Sequence, residues 1–198
     1  QTVALAAING PESVVISGAS AALATICQKL EAQGVKTKRL QVSHAFHSPL
    51  MTPMLAEFEQ LANHVTYNQP RIPLVSNVTG KLAKENIATG QYWVNHVLQT
   101  VRFANSIETL AELGYEVFLE IGPKPILLGM GRECLPESEG LWLPSLRPLV
   151  DSWQAMLSSL GQLYVAGVKV DWAGFDRDYL RTKVALPTYP FQRQRYWV

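Results

Sequence analysis

His47 is the residue of this chain whose type and setting could do chemistry. It stands in Val42-Ser43-His44-Ala45-Phe46-His47-Ser48-Pro49-Leu50-Met51, just ahead of a helical pattern. A histidine takes up and returns protons near neutrality. At a helix mouth beside a pocket it could draw the proton from a serine hydroxyl and hand it to a leaving thiol. That is half of an acyl-transfer site. The other half, a serine on a G-x-S-x-G elbow, does not occur in these 198 residues. Ser17-Gly18 and Ser76-Asn77 lie in turns without the strand-to-helix setting that activates a serine. Spacing alone favours a plainer role for His47, the satisfaction of a helix terminus. The same holds for His44, His64 and His96, none of which has a ligand-like partner.

Other candidates are weaker. Cys27 falls on the apolar face of a helical pattern, where a thiol is an inert packing group. Cys27 and Cys134 form no C-x-x-C, and no histidine cluster has metal-ligand spacing, so free buried thiols of a reducing compartment and no metal site are expected. Gly122, Gly129 and Gly131 are not a phosphate loop, for no Lys-Ser/Thr follows and the dinucleotide spacing is absent.

The elements that must position His47 read as follows. Val3–Ile8 and Ser13–Ser17 are strand-like, separated by the Asn9-Gly10-Pro11 turn. Leu23, Ile26, Cys27 and Leu30 follow helical spacing after a capping Ser20, and Gly34 ends that helix. Val35–Val42 alternates Lys36, Lys38 and Arg39 with apolar residues and predicts a third strand, the end of a ferredoxin-like lobe. Thr52-Pro53 predicts the start of a helix carrying Met54, Leu55, Phe58, Leu61, Ala62 and Val65. Strands are expected over Ile72–Val75 and Tyr115–Ile121, and helices over Tyr92–Val97 and Phe103–Leu113. Asn77–Gly80 is a turn, and Gly122-Pro123 leads into the apolar run Ile126–Met130. This alternation points to a parallel α/β layer. Pro136–Pro148 reads as irregular, and Trp153, Met156, Leu157, Leu160, Leu163 and Tyr164 mark one more amphipathic helix. From Arg177 onward Arg181, Lys183, Arg193 and Arg195 interleave with Tyr179, Tyr189, Phe191, Tyr196 and Trp197.

Composition agrees with a folded, well-buried protein, at 47% hydrophobic and 17% charged residues. A net charge of +1 gives no reason to expect nucleic acid as a partner. No apolar run approaches the roughly 18–20 residues of a membrane span, so no membrane is expected either. The chain opens at Gln1-Thr2 and reads as a piece of something longer.

Taken in order, the motifs resemble the C-terminal part of an acyltransferase domain of a modular polyketide synthase with the linker that follows it. They are Ala7-Ile8-Asn9-Gly10-Pro11 with Val14–Gly18, the His44–Met51 segment, Ser76-Asn77-Val78-Thr79-Gly80, Tyr92-Trp93-Val94 and Val101-Arg102-Phe103-Ala104. Phe118-Leu119-Glu120-Ile121-Gly122-Pro123, Leu143-Pro144-Ser145-Leu146-Arg147 and Leu186-Pro187-Thr188-Tyr189-Pro190-Phe191-Gln192-Arg193 with Arg195-Tyr196-Trp197 complete the series. Together they cover nearly the whole chain.

The resemblance implies an α/β fold with three parts. These are a partial ferredoxin-like small lobe (1–46), the C-terminal part of an α/β-hydrolase-like large lobe (47–140), and a post-acyltransferase linker with one helix (141–198) that docks on an adjacent ketosynthase. It implies a ping-pong transfer from malonyl-CoA through an acyl-serine to the phosphopantetheine thiol of an acyl carrier protein. No cofactor would be bound directly, and the setting would be cytoplasmic. His47 matches the general base, and His96 the position whose backbone carbonyl orients its ring. His44-Ala45-Phe46-His47 matches the malonyl-type selectivity pattern, with Phe46 filling the space of an α-methyl group. The family's serine, arginine and glutamine would lie before Gln1, leaving the isolated chain inactive. A chain that only docks on a synthase partner is the alternative expectation.

Overall fold

Val3–Gly10 (β1) and Ser13–Gly18 (β2) form an antiparallel hairpin in the computed structural model, which describes residues 2–197. The β-branched run Val14-Val15-Ile16 suits a pleated ladder, and Pro11 sits in the turn where no strand donor is needed. The register of β1 against β2 shifts between Leu5 and Ala7 and again between Ile8 and Gly10, which bends the hairpin. The other edge of β1 pairs in parallel with the short β5 (Val101–Arg102), Ala7 opposite Val101 and Ile8 opposite Arg102.

Ser20–Ala32 (α1) follows, and its half-buried residues include Leu23, Ile26, Cys27 and Leu30, the stripe the spacing indicates. Gly34, at φ 82°, ends it where a side chain would be strained. The strand expected over Val35–Val42 is absent. β1 already has β2 and β5 on its two edges, and Val35, Leu40 and Val42 are exposed, so the alternation has neither a ladder nor a face to bury.

Pro49–Met54 forms a 3₁₀ turn that runs into the helix Leu55–Asn63 (α2). The start signal lies one turn ahead of Thr52-Pro53: Ser48 is the cap, with Pro49 behind it. Ser48-Pro49 offers the same pairing of capping hydroxyl and donor-free proline, and Pro53 falls inside the tighter turn. Gly90–Leu98 (α3) packs on α2 so closely that a Cβ at Gly90 would come within 2.5 Å of Asn63 Oδ1. Between them lies the antiparallel pair Val75–Ser76 (β3) and Lys81–Leu82 (β4), shorter than the strand expected over Ile72–Val75.

Phe103–Glu112 (α4), Val117–Glu120 (β6), Ile126–Cys134 (α5) and Leu141–Pro144 (β7) build the main hydrophobic cluster. β7 stands inside the stretch expected to be irregular. Trp142 and Leu143 are buried there, β7 pairs in parallel with β6, and Pro144, lacking an N–H, closes the strand. Ile107, Leu128 and Trp142 form the cluster's buried centre, and Trp142 stacks on Phe118 at 4.1 Å and 12°. A Cβ on Gly131 would lie 2.5 Å from the Trp142 ring, so glycine lets α5 approach it.

Ser152–Val165 (α6) is the helix expected from Trp153 onward, but its buried residues are Ala155 and Ser159, while Trp153, Met156, Leu157 and Tyr164 of the expected apolar stripe are exposed. The chain divides into two compact units, Gln1–Ser159 and Leu160–Val198. In the second, Trp172–Phe175 (α7) is capped by Asp171, and the residues beyond 176 have no helix or strand among those described. Two pairings, β1 with β5 and β6 with β7, run across the expected boundaries after residues 46 and 140.

Candidate active site

Ala45 to Ser48 form a tight turn locked by Ser48, which is 0% exposed. The Ser48 hydroxyl donates to the Ala45 carbonyl at 2.7 Å and accepts from the Leu50 amide at 3.3 Å. This bracket spans His47, whose φ of 59° lies in the left-handed region that a branched or bulky residue rarely occupies. A residue held there is over-determined by its surroundings. The His47 amide donates to the Val97 carbonyl at 3.1 Å, and its Nδ1 lies 2.8 Å from the Gln99 carbonyl oxygen.

That last contact decides the tautomer. A carbonyl only accepts, so Nδ1 carries the proton and Nε2 is left with a free lone pair. The half-buried ring therefore offers a base at Nε2 on a rigid support.

The orienting carbonyl is Gln99's rather than that of His96. His96 lies in the last turn of α3, whereas Gln99 caps the helix in an extended conformation (φ −74°, ψ 148°), so its carbonyl turns away from the helix axis. The Gln99 amide is itself held by the Asn95 carbonyl at 3.0 Å, and its side chain donates to Asn95 Oδ1 at 3.2 Å. The next residue, Thr100, donates to the Leu5 carbonyl of β1 at 2.7 Å.

His96 meets His47 through its ring, with centroids 5.8 Å apart and planes at 73°. Its Nε2 donates to Asn77 Oδ1 at 2.8 Å. Burial, and secondarily the nearby His47, hold its pKa below the ordinary 6.5, so His96 is neutral at physiological pH. Tyr92, one turn earlier on α3, is buried with its hydroxyl 2.6 Å from the oxygen of the buried Ser76.

His44 and Phe46 project from the same turn with their rings 5.9 Å apart. Phe46 is 48% exposed, free to face a ligand rather than committed to a core. His44 Nδ1 lies 2.9 Å from the Ser43 hydroxyl. His64 stands apart, bonded to the Gln60 carbonyl of its own helix. Cys27 and Cys134 are both free, and burial pushes the Cys134 thiol up, aided by Glu108 and Glu133. No described group of acidic, histidine or cysteine side chains could hold a metal ion.

Sequence reading missed Gln99, Val97 and Asn77. The first two act through backbone carbonyls, which carry no residue-type signal. Ser48 carried one, its place directly before Pro49.

A family model described as the acyl transferase domain matches residues 1–170. The chain belongs to this family. It is 47% identical over 200 residues to the phenolphthiocerol synthesis polyketide synthase Pks15/1 of Mycobacterium marinum, covering 98% of the chain and 9% of that protein. To polyketide synthase GfsA of Streptomyces halstedii it is 42% identical over 197 residues, covering 98% of the chain and 3% of that protein. The crystal structure of the acyltransferase domain from the second module of the salinomycin polyketide synthase superposes with a TM-score of 0.88 at 47% identity, over 96% of this chain and 45% of that one. A malonyl CoA-acyl carrier protein transacylase from Clostridium perfringens superposes at 0.73 with 28% identity, over 84% and 52%. The chain thus spans a small part of its curated relatives and about half of the solved domains. Its mixed α/β fold is that of polyketide synthase acyltransferase domains.

Proposed function

We propose that the chain carries the general-base half of a malonyl-selective acyltransferase site, completed by a serine from sequence outside these 198 residues. The observation that carries this reading is the His47 Nδ1–Gln99 carbonyl contact, which leaves Nε2 as the base. A carbonyl partner does what a triad aspartate does for tautomer and orientation. In the first half-reaction Nε2 takes the serine proton as the hydroxyl attacks the malonyl thioester carbonyl. The C–S bond then breaks, the acyl-serine forms, and the imidazolium returns its proton to the coenzyme A thiolate. The second half repeats these steps with the phosphopantetheine thiol of an acyl carrier protein as nucleophile and the serine as leaving group. No resident cofactor enters either half.

Malonyl selectivity rests on Phe46, half-exposed beside His47 and flanked by His44 and Ala45. An α-methyl group would have to share its space. The relation to a malonyl CoA-acyl carrier protein transacylase supports the same substrate class.

Loading of malonyl onto the serine of the complete domain, followed by intact-protein mass spectrometry, tests the reading. His47→Ala removes the base, and because base and nucleophile act as a unit the loading rate should fall by about three orders of magnitude or more. Loading at the unaltered rate would exclude His47.

A second reading has the chain also serving as a docking piece. The exposed Tyr189, Phe191, Tyr196 and Trp197, interleaved with Arg193 and Arg195, support residues 141–198 as a linker on an adjacent ketosynthase.

A further inference from the structure

Asn77 makes two contacts that bracket the segment on which His47 rests. Its side-chain Oδ1 accepts from His96 Nε2 at 2.8 Å, and its backbone carbonyl accepts from the Arg102 amide at 2.7 Å. Between residues 96 and 102 lie the two carbonyls that hold His47, Val97 at its amide and Gln99 at its Nδ1. Asn77 is therefore attached at both ends of the piece of chain that sets the His47 tautomer.

The anchor is itself rigid. Asn77 follows Ser76, a buried residue whose oxygen meets the Tyr92 hydroxyl and accepts from the Val78 amide. The turn closes with the Gly80 amide on the Ser76 carbonyl at 2.7 Å, at a residue whose φ of 69° favours glycine. Any side chain at Gly80 would also meet Asn105, its Cβ falling 2.5 Å from the Asn105 Cβ.

We infer that Asn77 is a positioning residue of the acyl-transfer site: it pins His96 and Arg102, and so holds the Gln99 carbonyl on His47 Nδ1. This inference rests on the reading of His47 as the base. An Nδ1–H that has lost its acceptor no longer fixes the tautomer, and the ring is free to turn, so Nε2 is no longer held as the base. The titratable ring that meets His47 is His96, edge-on from α3, while His44 in the same turn meets Phe46 and Ser43. Tyr92, the titratable neighbour of His96 on α3, is tied to Ser76.

The test uses the synthase polypeptide that carries this chain, with malonyl-CoA and acyl carrier protein as substrates. Asn77→Leu keeps the approximate volume and removes the acceptor. It should lower kcat at least about tenfold with KM for malonyl-CoA within about twofold, since misplacement of the base acts on the reacting step. A loss confined to kcat with KM held is a split that a general loosening of the fold would not give. Asn77→Asp retains the oxygen acceptor and should recover most of kcat. His96→Phe removes the other partner, and the pair Asn77→Leu/His96→Phe should be no slower than the slower single variant. If Asn77→Leu fails to fold, His96→Phe carries the same two readouts. An unchanged kcat in Asn77→Leu or, should it not fold, in His96→Phe, while His47→Ala abolishes loading, would overturn the role of Asn77 alone. Normal loading by His47→Ala would overturn the base reading beneath it.

Discussion

At the scale of the residue, the turn around His47 shows how one backbone angle is made to serve a side chain. Ser48 closes the turn over it, and the carbonyls of Val97 and Gln99 take its two N–H groups. His47 and its neighbours were legible in the sequence because the pattern His44-Ala45-Phe46-His47 is made of side chains. The orienting group was displaced by three positions, from His96 to Gln99, because any residue type supplies a carbonyl and only the end of α3 decides which one points outward. If Phe46 restricts the acyl pocket, Phe46→Ser in the complete domain should raise acceptance of methylmalonyl-CoA relative to malonyl-CoA by about tenfold or more. One methyl accommodated by packing is worth roughly 1–3 kcal/mol. Competition of the two thioesters in one loading reaction reads the ratio directly, and an unaltered ratio would remove Phe46 from selectivity.

His96 gives a second prediction at this scale. Its pKa is lower in the folded state than its ordinary 6.5, mainly through burial and then through His47. The unfolded chain therefore binds the proton first as the pH falls, and stability linked to His96 is intact above about pH 6.5 and lost on acidification below it. Thermal unfolding midpoints of the complete domain from pH 7.5 to 5 should fall more steeply in the wild type than in His96→Gln. Parallel curves would show that His96 does not contribute to the acid sensitivity.

At the scale of the element, the clearest device is Glu120 at the end of β6. Its Oε1 accepts from the Ile126 and Leu127 amides at 3.1 Å each, and its Oε2 from the Leu128 amide at 2.9 Å. The first turn of a helix has amides without intrahelical partners, and a carboxylate there satisfies them and meets the positive end of the helix dipole. Glu120 thereby joins β6 to α5 across the Gly122-Pro123 turn, and Ser145 fastens the same turn by accepting from the Gly122 amide at 2.9 Å. Glu120→Ala leaves three amides without their partner and should cost about 1–3 kcal/mol. Glu120→Gln, which keeps one carbonyl acceptor, should cost less. Urea unfolding of the complete domain with an unchanged m-value provides the measurement, and equal stability of Glu120→Ala and wild type would refute the capping role.

Element boundaries reveal where pattern reading succeeds. Helix α4 followed its apolar periodicity and buries Ala104 and Ile107, whereas α6 formed with Ala155 and Ser159 as its buried residues and left Trp153, Met156, Leu157 and Tyr164 exposed. Val35–Val42 had an equally good alternation and formed no strand, for lack of a free sheet edge. β7 lay between prolines that suggested a loop, yet burial of Trp142 and Leu143 made it the partner of β6. Periodicity reports what a segment could bury, and only the tertiary structure supplies the surface that receives it.

At the scale of the whole molecule, the contrast is between the packed first unit and the residues beyond Phe175. Leu186, Tyr189, Phe191, Tyr196 and Trp197 are all more than two-thirds exposed, Trp197 at 88%. Single exposed apolar residues are ordinary, but a run of large aromatics without a surface to cover is a feature of segments that dock on a partner. Arginine and aromatic residues are also the types that dominate interface energetics. If this tail docks on a partner, deleting residues 177–198 should leave the unfolding midpoint of the remaining acyltransferase domain within about 2 °C of the full-length form. The same deletion should weaken association with a separately produced ketosynthase domain by tenfold or more in a titration calorimeter, a loss equivalent to about 1.4 kcal/mol. The two measurements separate the alternatives. A large fall in the midpoint with unchanged association would make the tail part of the domain's own stability. An unchanged midpoint with weakened association is the outcome that a docking strap requires.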